Sequence, residues 1–589
     1  MNKLKEKTDF YIGRIKAGRL KQMKEEIIWI YAYARRYWWQ MIFYTALGLG
    51  GVVLSLVSSL ISKDMVDIVT GMKTGQLVKT FSWMVGMSVS EIIVSQITNY
   101  FSNKISYNVD AEIRSDIFEK IMVTDWESIT RYHTGDLLTR WQSDAGNISN
   151  GVLSFIPSVI INIFKFISTL WLVVKNDWTF AVFAMIGIPF SLIMSKTLLT
   201  RMQNQNDKNA AMNAKMNGFD QETFSNVQTI KAFGLVHLYV ERLKQLQKDY
   251  INMQLSYSRL TMTTSFILGM VGLLVSFSCY GWGIYRVWSG AISYGTMTMF
   301  LSLSGSLTSA VNSLASTVPS VISLTTSARR LMDIVDMPRE DYSHEKEANE
   351  FLQKHKQDGI SLTVNDLNYS YSNGTQVFNG ASFEAHPHEV IGLVGPSGEG
   401  KTTMLRLLLS ILTPQEGSVI LSSSGDELPM SAGARTIFAY VPQGNTMFSG
   451  TIKENMLNVC PDAADEEIID ALKTACAWNF VEKLPDGINS EIKERGGGFS
   501  EGQAQRLSIA RAVLRHAPIL LLDEASSALD VATERQVLRN IMMETYPRTC
   551  IVTTHRPTVL TMCKRVYQIE NQHCRLLNKD EIRNLIDNF

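Results

Sequence analysis

Long apolar stretches separated by polar segments fill the first half of the chain. A helix that rises 1.5 Å per residue needs about 20 apolar residues to cross roughly 30 Å of hydrocarbon, so each stretch of that length predicts one transmembrane helix. Six stretches qualify, at approximately residues 41–62, 81–100, 152–174, 178–198, 264–285 and 294–318. The sixth is rich in Ser and Thr, which would lack hydrogen-bond partners if they faced lipid. We expect it to line a cavity; the alternative is a soluble helix packed against the membrane domain.

The basic residues predict how these helices are oriented. With the N-terminus inside, the inner segments 1–40, 102–151 and 200–260 hold about 23 Lys and Arg, and the outer loops hold about five. Because cytoplasmic loops carry the excess of positive charge, the N-terminus is predicted to be cytoplasmic. The two long inner segments also follow helical periodicity. Folded as helical hairpins, they would extend on the order of 35 Å below the membrane.

Two charged residues fall inside the predicted membrane helices. Glu91 and Lys165 each lie about ten residues from the outer end of their helix, at a depth of about 15 Å. An ionisable residue at this depth is by default a candidate functional residue. Two interpretations stay open, namely a static ion pair that positions the two helices and a contact with a substrate.

The pattern changes near residue 338. Residues 338–358 are strongly charged and show no apolar face, which is typical of a linker. Beyond them, short apolar strands such as EVIGLVG, PILLLDE and TCIVTTH alternate with helical segments, and this alternation predicts a largely parallel α/β domain. The predicted organisation is an amphipathic N-terminal segment at 1–40, a membrane domain at 41–337, the linker at 338–358 and the α/β domain at 359–589.

A glycine-rich motif follows the strand EVIGLVG. In GPSGEGKTT, residues 395–403, Gly395, Gly400, Lys401 and Thr402 match the phosphate-binding pattern GxxxxGK[ST], with a strand before it and a helix after it. Glycines let backbone amides converge on phosphates, and the helix N-terminus adds positive potential. Lys401 is predicted to reach the β- and γ-phosphates of a nucleotide, and Thr402 is predicted to hold Mg²⁺.

A second motif, ILLLDE at residues 519–524, places two acids at the end of a buried strand. Asp523 suits the coordination shell of Mg²⁺, and Glu524 can polarise an attacking water as a general base. With the phosphate loop, this pair predicts nucleotide hydrolysis as well as binding. The expected fold is an all-α membrane domain of six transmembrane helices with long cytoplasmic extensions, fused to an α/β P-loop NTPase domain.

Between these motifs lies FSEGQAQRLSIARA, residues 499–512, which resembles the signature of the ATP-binding cassette (ABC) family. Four further elements match in order: Tyr371 in LNYSYSNG, Gln443 in YVPQG, ASSALD at residues 525–530, and His555 in VTTHR. The first half resembles the membrane domain of ABC exporters through HTGDLLTRWQSDAGNI and SNVQTIKAFG. The resemblance covers almost the whole chain.

The resemblance implies a role for each matched residue. Tyr371 stacks on adenine, Asp530 belongs to the D-loop, and His555 contacts the γ-phosphate. The implied catalytic residues are Glu524, His555 and Gln443, and the implied Mg²⁺ ligands are Thr402, Gln443 and Asp523. The implied ATP-binding residues are Tyr371, Gly395, Pro396, Ser397, Gly398, Glu399, Gly400, Lys401, Thr402 and Thr403. The signature residues, which act on the ATP of a second cassette, are Ser500, Glu501, Gly502 and Gln503.

One cassette and six predicted spans make the composition of a half-transporter in this family. The resemblance therefore implies ATP and Mg²⁺ as cofactors, a second half-transporter as partner in a homodimer or heterodimer, and export of an unidentified substrate by alternating access. The inner hairpins near Asp125–Tyr132 and Asp220–Asn226 would transmit the movement of the cassettes. We expect a multi-pass protein of the inner or plasma membrane, with the N-terminus and the cassette in the cytoplasm.

Glu501 departs from the family pattern LSGGQ, which here reads FSEGQ at residues 499–503. A carboxylate about 4 Å from a γ-phosphate would be repelled by roughly 4 kcal/mol per unit charge pair at an effective dielectric constant of 20. Two interpretations stay open. Either Glu501 turns to solvent and changes little, or it weakens the ATP site of a partner, and this chain is the catalytically intact half of a heterodimer.

Composition excludes other classes of protein. Lys and Arg number 56, as do Asp and Glu, so the chain has no net charge and no basic bias towards nucleic acid. Six cysteines without a CxxC pair fit neither a zinc site nor a secreted disulfide framework, so we expect reduced thiols. An ATP-gated channel or a regulatory membrane ATPase is the alternative function, but the presence of Glu524 argues against it.

Overall fold

The computed structural model describes residues 20–587 apart from residues 133, 183–207, 210, 211, 214, 445, 494, 495, 545 and 555. The chain divides into two compact units. The first comprises Met1–Met122 and Tyr132–Met337, and the second comprises Val123–Arg131 and Pro338–Phe589. Each unit is described separately below.

The helices account for most of the first unit and cover the sheets of the second. In chain order they are α1 (Leu20–Arg36), α2 (Trp38–Val69), α3 (Leu77–Met122), α4 (Trp126–Ile129), α5 (Thr134–Thr139), α6 (Ala145–Asn176), α7 (Val227–Ala232), α8 (Val236–Trp288), α9 (Tyr294–Val335), α10 (Glu345–His355), α11 (Lys401–Leu408), α12 (Ile452–Leu457), α13 (Asp465–Thr474), α14 (Trp478–Val481), α15 (Glu501–Leu514), α16 (Val531–Met543), α17 (Pro557–Leu560) and α18 (Lys579–Asp587). A π-helical turn at Arg140–Asp144 joins α5 to α6, and residues 215–225 are also helical.

Four long helices in the described part of the first unit are apolar enough to cross a membrane. They are Trp38–Val69, Leu77–Met122, Thr134–Asn176 and Val236–Trp288, and they contain the first, second, third and fifth predicted spans. The sixth predicted span lies on α9, a continuous helix of 42 residues whose Ser and Thr content makes it less apolar. The fourth, at 178–198, falls largely outside the described residues. The prediction of an all-α membrane domain is therefore confirmed.

The helices run well past the predicted spans on the inner side. Helix α3 continues for 22 residues beyond residue 100, which corresponds to about 33 Å. An apolar residue recurs every fourth position along this extension, at Ile105, Val109, Ile113 and Ile117. Residues four apart lie on one face of a helix, and this face is buried against α1, α6 and α9. The predicted helical extension is thus a packed bundle and not a loose loop.

The π-helical turn at Arg140–Asp144 is held to α9 by charged side chains. Asp136 accepts hydrogen bonds from Arg140 Nε at 2.9 Å and from Arg330 Nη2 at 2.7 Å. On the other side of the turn, Asp144 Oδ1 accepts one from Ser327 Oγ at 2.8 Å. Arg140 also donates from Nη1 to the carbonyl oxygen of Arg330 at 2.6 Å. Both ends of the turn are therefore fixed to the same stretch of α9.

The second unit contains a six-stranded sheet and a smaller antiparallel sheet. The strands are β1 (Ser361–Ser370), β2 (Gln376–Ala385), β3 (Glu389–Val394), β4 (Glu416–Ser423), β5 (Asp426–Pro429), β6 (Phe438–Val441), β7 (Gly450–Thr451), β8 (Glu491–Ile492), β9 (Ile519–Asp523), β10 (Thr549–Thr553), β11 (Arg565–Glu570) and β12 (His573–Leu576). The six-stranded sheet has the order β12-β11-β3-β10-β9-β6, and only β12 is antiparallel. Strands β1, β2, β4 and β5 form the antiparallel sheet in the order β2-β1-β4-β5.

Strands β3, β9 and β10 lie at the centre of the six-stranded sheet and are buried along their whole length. Their continuous apolar sequences suit this position, because helices cover both faces of a parallel sheet. The prediction of an α/β cassette is confirmed. The carboxyl ends of these three strands lie at one edge of the sheet, and the phosphate loop and the acidic motif follow β3 and β9 there.

The expectation that residues 338–358 lack an apolar face is wrong. Helix α10 lies within this segment and buries Ala348, Phe351 and His355. Ala348 and Phe351 belong to the apolar core of the second unit. These three residues are spaced three and four apart and share one face of the helix, but the many charged residues around them hide the pattern in the sequence.

Arg435 links the start of the second unit to the end of helix α11. Its Nη1 and Nη2 atoms lie 2.6 and 2.8 Å from the two carboxylate oxygens of Glu340. Its Nε and Nη2 atoms also donate to the carbonyl oxygens of Leu409 and Ser410, each at 2.7 Å. These two carbonyls follow the last turn of α11, where a helix lacks intrahelical donors. Arg435 therefore caps α11 and binds Glu340 at the same time.

Candidate active site

The phosphate loop occupies the connection between β3 and α11. Gly400 precedes the helix with a φ of +104°, a conformation that glycine adopts without steric cost. The Lys401 side chain folds back over the loop and donates to the carbonyl oxygens of Gly395 at 2.8 Å and Pro396 at 3.0 Å. Burial lowers the pKa of Lys401, and the nearby carboxylates of Glu524 and Asp523 oppose this shift. The Lys401 ammonium group therefore lies inside the phosphate loop. A bound phosphate would replace the two carbonyl oxygens as its hydrogen-bond acceptor.

The rim of the loop is more open. Pro396, Ser397 and Gly398 are exposed to solvent. Glu399 is half-buried, and its Oε2 accepts a hydrogen bond from the backbone N–H of Asn571 at 3.2 Å. Glu399 therefore attaches the loop to the turn between β11 and β12.

The two acids of the second motif lie beside this loop. Asp523 is the last residue of β9 and is buried, and its Oδ1 lies 3.3 Å from Thr402 Oγ1. Glu524 follows with a φ of +48°, which is uncommon for a residue with a side chain. Its Oε2 accepts a hydrogen bond from Gln443 Nε2 at 2.7 Å. The structure therefore brings together four residues that the sequence places in three separate motifs.

Two further hydroxyl groups contact Asp523. Thr553 Oγ1 donates to Asp523 Oδ1 at 2.8 Å, and Tyr440 Oη donates to Asp523 Oδ2 at 3.3 Å. Burial, followed by the charge of Asp523, raises the pKa of Tyr440, so the phenol keeps its proton. Neither Thr553 nor Tyr440 is among the residues predicted from the sequence. In the sequence, each of them is visible only as a polar side chain near the end of an otherwise apolar strand.

The oxygen donors of Thr402, Asp523 and Gln443 suit Mg²⁺. Thr402 contacts Asp523, and Gln443 contacts the neighbouring Glu524. A hydroxyl from Thr402, a carboxylate from Asp523 and the amide oxygen of Gln443 are hard oxygen ligands of the kind that Mg²⁺ prefers. No group of three His, Cys, Asp or Glu residues forms a metal site in the described part of the chain. A cation held by so few protein ligands fits the usual Mg²⁺ arrangement, in which substrate phosphates and water complete the shell.

Tyr371 borders a cavity of about 490 Å³ in the second unit. The cavity is also lined by Glu127, Arg131, Tyr369 and Gln376. The hydroxyl of Tyr371 lies 2.8 Å from Thr403 Oγ1, the second threonine of the phosphate loop. The aromatic ring is therefore held beside the first turn of α11, directly after the phosphate loop.

The signature residues form the start of helix α15. Ser500 is the N-cap, with Gln503 N–H donating to Ser500 Oγ at 3.3 Å and Ser500 N–H donating to Gln503 Oε1 at 2.9 Å. Gly502 is half-buried in the same turn, and Glu501 is the first residue of the helix and is exposed. An acid in the first turn stabilises a helix by about 0.3–1 kcal/mol, so Glu501 favours this helix while it lowers the positive potential at its N-terminus.

The remaining predicted residues are placed less directly. Asp530 is the N-cap of α16, and hydrogen bonds from Thr533 hold its pKa below the usual range. His555 lies outside the described residues. The next residue, Arg556, donates from Nη1 to the carbonyl oxygen of Leu529, the neighbour of Asp530, at 2.6 Å.

The proposed intramembrane pair is not formed in this structure. Glu91 and Lys165 are both half-buried, and neither side chain forms an ion pair with a residue that the structure describes. Similar depth does not bring two helical residues together unless their helices also turn the same faces to each other. The geometry therefore gives no support to the static ion pair.

Comparison with known proteins shows similarity over most of the chain. Residues 41–311 match the family model of the ABC transporter transmembrane region, and residues 378–527 match the ABC transporter model. A putative export ATP-binding/permease protein of Rickettsia bellii is 28% identical over 507 residues, which are 83% of this chain and 86% of the relative.

Two other relatives and one solved structure extend this comparison. A multidrug resistance ABC transporter ATP-binding and permease protein of Lactococcus lactis is 25% identical over 89% of this chain and 88% of its own. An ATP-dependent lipid A-core flippase of Francisella tularensis is 26% identical over 80% of this chain and 77% of its own. The structure of a bacterial Atm1-family ABC exporter with ATP bound has a TM-score of 0.79 at 19% identity and covers 91% of this chain and 95% of the exporter, which shows a shared fold.

Proposed function

This chain belongs to the ABC transporter family, and from that premise we propose that it exports a substrate across the membrane by alternating access, driven by the ATP hydrolysis of its cassette. The observation that carries the proposal is the assembly of Thr402, Asp523, Gln443 and Glu524 beside the phosphate loop. This grouping at the end of a sheet, in a chain that also has a membrane domain, supports ATP hydrolysis and not nucleotide binding alone.

Each residue of the assembly has a proposed role in hydrolysis. Lys401 binds the β- and γ-phosphates, and Tyr371 stacks on adenine. Thr402, Asp523 and Gln443 hold Mg²⁺, which neutralises charge on the phosphates when it is bound. Glu524 accepts the proton of the attacking water, and the hydrogen bond from Gln443 orients its carboxylate before the nucleotide arrives. His555 is assigned to the γ-phosphate from the family pattern.

We propose that the working unit is a dimer. The signature residues Ser500–Gln503 would complete the ATP site of the partner, as in other members of the family. Several apolar side chains of the predicted inner segment 200–260 are exposed on the first unit, which supports a partner that covers them. Examples with 45–76% exposure are Phe224, Phe233, Leu238, Ile251 and Leu255. Exposed apolar side chains on a segment that is predicted to lie in water are typical of an interaction surface.

Export out of the cytoplasm is the proposed direction. The excess of Lys and Arg on the predicted inner segments supports a cytoplasmic N-terminus and a cytoplasmic cassette, with the chain in the inner or plasma membrane. Of the relatives named above, one is a putative export ATP-binding/permease protein, one is a multidrug resistance ABC transporter and one is an ATP-dependent lipid A-core flippase. The proposed class of substrate is therefore a lipid-like or other amphipathic molecule.

The test uses Glu524→Gln in the full-length protein, purified alone and reconstituted in proteoliposomes. Loss of a general base costs about 10²–10⁴-fold in rate, so ATP hydrolysis should fall by that factor while ATP binding persists. The exposed Glu482 provides the control variant Glu482→Gln, which should hydrolyse ATP normally. Unchanged hydrolysis by Glu524→Gln would refute the general-base role. Hydrolysis by the wild-type chain alone would support a homodimer.

A further inference from the structure

A threonine of strand β10 contacts both acids of the hydrolytic motif. Thr553 Oγ1 donates its hydrogen to Asp523 Oδ1 at 2.8 Å and accepts a hydrogen bond from the backbone N–H of Glu524 at 2.9 Å. The side chain is fully buried, so water cannot replace either bond. A hydroxyl has one hydrogen to donate, and here that hydrogen is committed to the carboxylate.

The fold places this hydroxyl between the two acids. Strand β10 lies next to β9 in parallel register, and Thr553 is paired with Asp523 at the carboxyl ends of the two strands. The chain leaves β9 at Glu524 in a left-handed conformation, with a φ of +48°. Such conformations persist only where the surroundings hold them. The backbone N–H of Glu524 points at Thr553. The Glu524 nitrogen lies 2.9 Å from the hydroxyl oxygen of Thr553 and 3.3 Å from the carbonyl oxygen of Thr553.

The bond from Thr553 is the shortest of the three hydroxyl contacts to Asp523. Those from Thr402 and Tyr440 are both 3.3 Å long. Thr402 is also the residue assigned to Mg²⁺. Its hydroxyl can bind a cation through a lone pair while it donates its hydrogen to Asp523, whereas the shorter bond from Thr553 does not involve the cation at all. Removing a hydrogen-bond partner that fixes a metal-ligating carboxylate typically lowers metal affinity or activity.

We propose that Thr553 is a positioning residue for ATP hydrolysis, whose hydroxyl fixes the Asp523 carboxylate for the cation and holds the backbone of Glu524 so that its carboxylate faces the water. This inference rests on the proposed function, because it assumes the roles given above to Asp523 and Glu524. Thr553 itself touches neither nucleotide nor water in this proposal.

The experiment compares variants of Thr553 with a matched variant of the same strand. Thr553→Val replaces the hydroxyl with a methyl group, Thr553→Ala removes both branches, and Thr553→Ser keeps the hydroxyl. Thr549→Val is the control, since Thr549 is equally buried on β10 and its hydroxyl donates to the carbonyl oxygen of Ile360 at 2.9 Å. It reports the general effect of losing a buried threonine hydroxyl.

Steady-state ATP hydrolysis by the full-length protein is measured against ATP and against Mg²⁺. Thr553→Val and Thr553→Ala should lower kcat by about 10–100-fold and raise the Mg²⁺ concentration for half-maximal activity. KM for ATP should change little, and binding of a fluorescent ATP analogue in EDTA should match the wild type, because the phosphate loop is intact. Thr553→Ser should restore kcat to within a few-fold of the wild type.

A kcat of Thr553→Val no lower than that of Thr549→Val would overturn the proposal, as would a failure of Thr553→Ser to restore activity in a protein that still binds the analogue. If Thr553→Val does not fold, Thr553→Ala decides by the same criterion. Glu524→Gln separates this inference from the proposed function. Normal hydrolysis by Glu524→Gln refutes the general base, whereas an inactive Glu524→Gln beside a fully active Thr553→Ala refutes only the positioning role.

Discussion

Removing Arg435 should destabilise the protein more than removing its ion-pair partner Glu340. Arg435→Ala deletes the bidentate contact with Glu340 and also the two bonds to the carbonyl oxygens of Leu409 and Ser410. The Glu340 side chain is only 12% exposed and would keep one partner, the Tyr342 hydroxyl at 2.9 Å. Glu340→Ala leaves Arg435 with both carbonyl acceptors. Removing Arg435 therefore breaks more hydrogen bonds than removing Glu340, although both residues belong to one ion pair.

The contacts give an estimate for each variant. Deleting one partner of a fully buried ion pair costs about 3–5 kcal/mol, and because Arg435 is 26% exposed we expect about 3 kcal/mol for Arg435→Ala. Glu340→Ala should cost about 1 kcal/mol, which is the net value of a typical hydrogen bond. For a domain of this size 1 kcal/mol shifts the melting temperature by about 2–4 °C, so the expected decreases are about 6–12 °C and about 2–4 °C.

Thermal unfolding of the detergent-solubilised protein, followed by intrinsic fluorescence, measures both decreases. Arg575→Ala is the matched control, because Arg575 also bridges a glutamate, Glu581, but both side chains are exposed. An exposed pair contributes about 0–1 kcal/mol, so this variant should melt close to the wild type. Equal decreases for Arg435→Ala and Glu340→Ala would refute the capping role of Arg435. A decrease for Arg435→Ala no larger than that for Arg575→Ala would refute the whole estimate.

Two other variants test contacts outside this pair. Gly295→Ala should destabilise the protein by about 1–3 kcal/mol and lower its melting temperature, because the added Cβ would clash with the backbone oxygen of Lys63. Gly305→Ala is the control on the same helix. Its Cβ would meet nothing within 4 Å, so this variant should be neutral or stabilising. Glu501→Gln should lower KM for ATP by up to about fivefold, since an exposed carboxylate 4 Å from a phosphate is repelled by about 1 kcal/mol in water. An unchanged KM would show that Glu501 faces solvent.

The sequence predicted the centre of the site because its motifs define strand ends. Thr402 and Asp523 are 121 residues apart, yet Asp523 is the last residue of one buried strand and Thr402 comes shortly after another, and parallel strands end at one edge of a sheet. Gln443 comes to the same edge after β6, which pairs with β9. Strand ends were therefore enough to group Thr402 with Asp523 and Glu524, whereas Gln443 was assigned from the family resemblance alone.

Thr553 and Tyr440 could not be predicted in this way. Each is a hydroxyl-bearing residue in an apolar strand, where threonine and tyrosine are common for reasons of packing. Their function depends on which strands are neighbours and in what register, and β10 lies between β3 and β9 although it comes last of the three in the chain. The pairing of Thr553 with Asp523 is a property of the sheet that neither segment carries alone.

Two predictions rest on averages along a segment. The static ion pair between Glu91 and Lys165, one of two open interpretations, follows from their similar depth along two helices, but a helix turns by about 100° per residue, and depth carries no information about this rotation. The charged segment 338–358 was judged from its composition, whereas its structure is decided by Ala348, Phe351 and His355. In both cases the average over a segment concealed the face on which a few residues lie.

The π-helical turn at Arg140–Asp144 makes the length of this segment as important as its sequence. Such a turn holds one residue more than an α-helical turn, so deleting a single residue would leave an unbroken helix from Thr134 to Asn176. The deletion would also rotate Asp136 by about 100° relative to Asp144, although both must face the same part of α9. Point substitutions on the solvent side should be tolerated here, whereas any insertion or deletion of one residue shifts the register of every contact that follows.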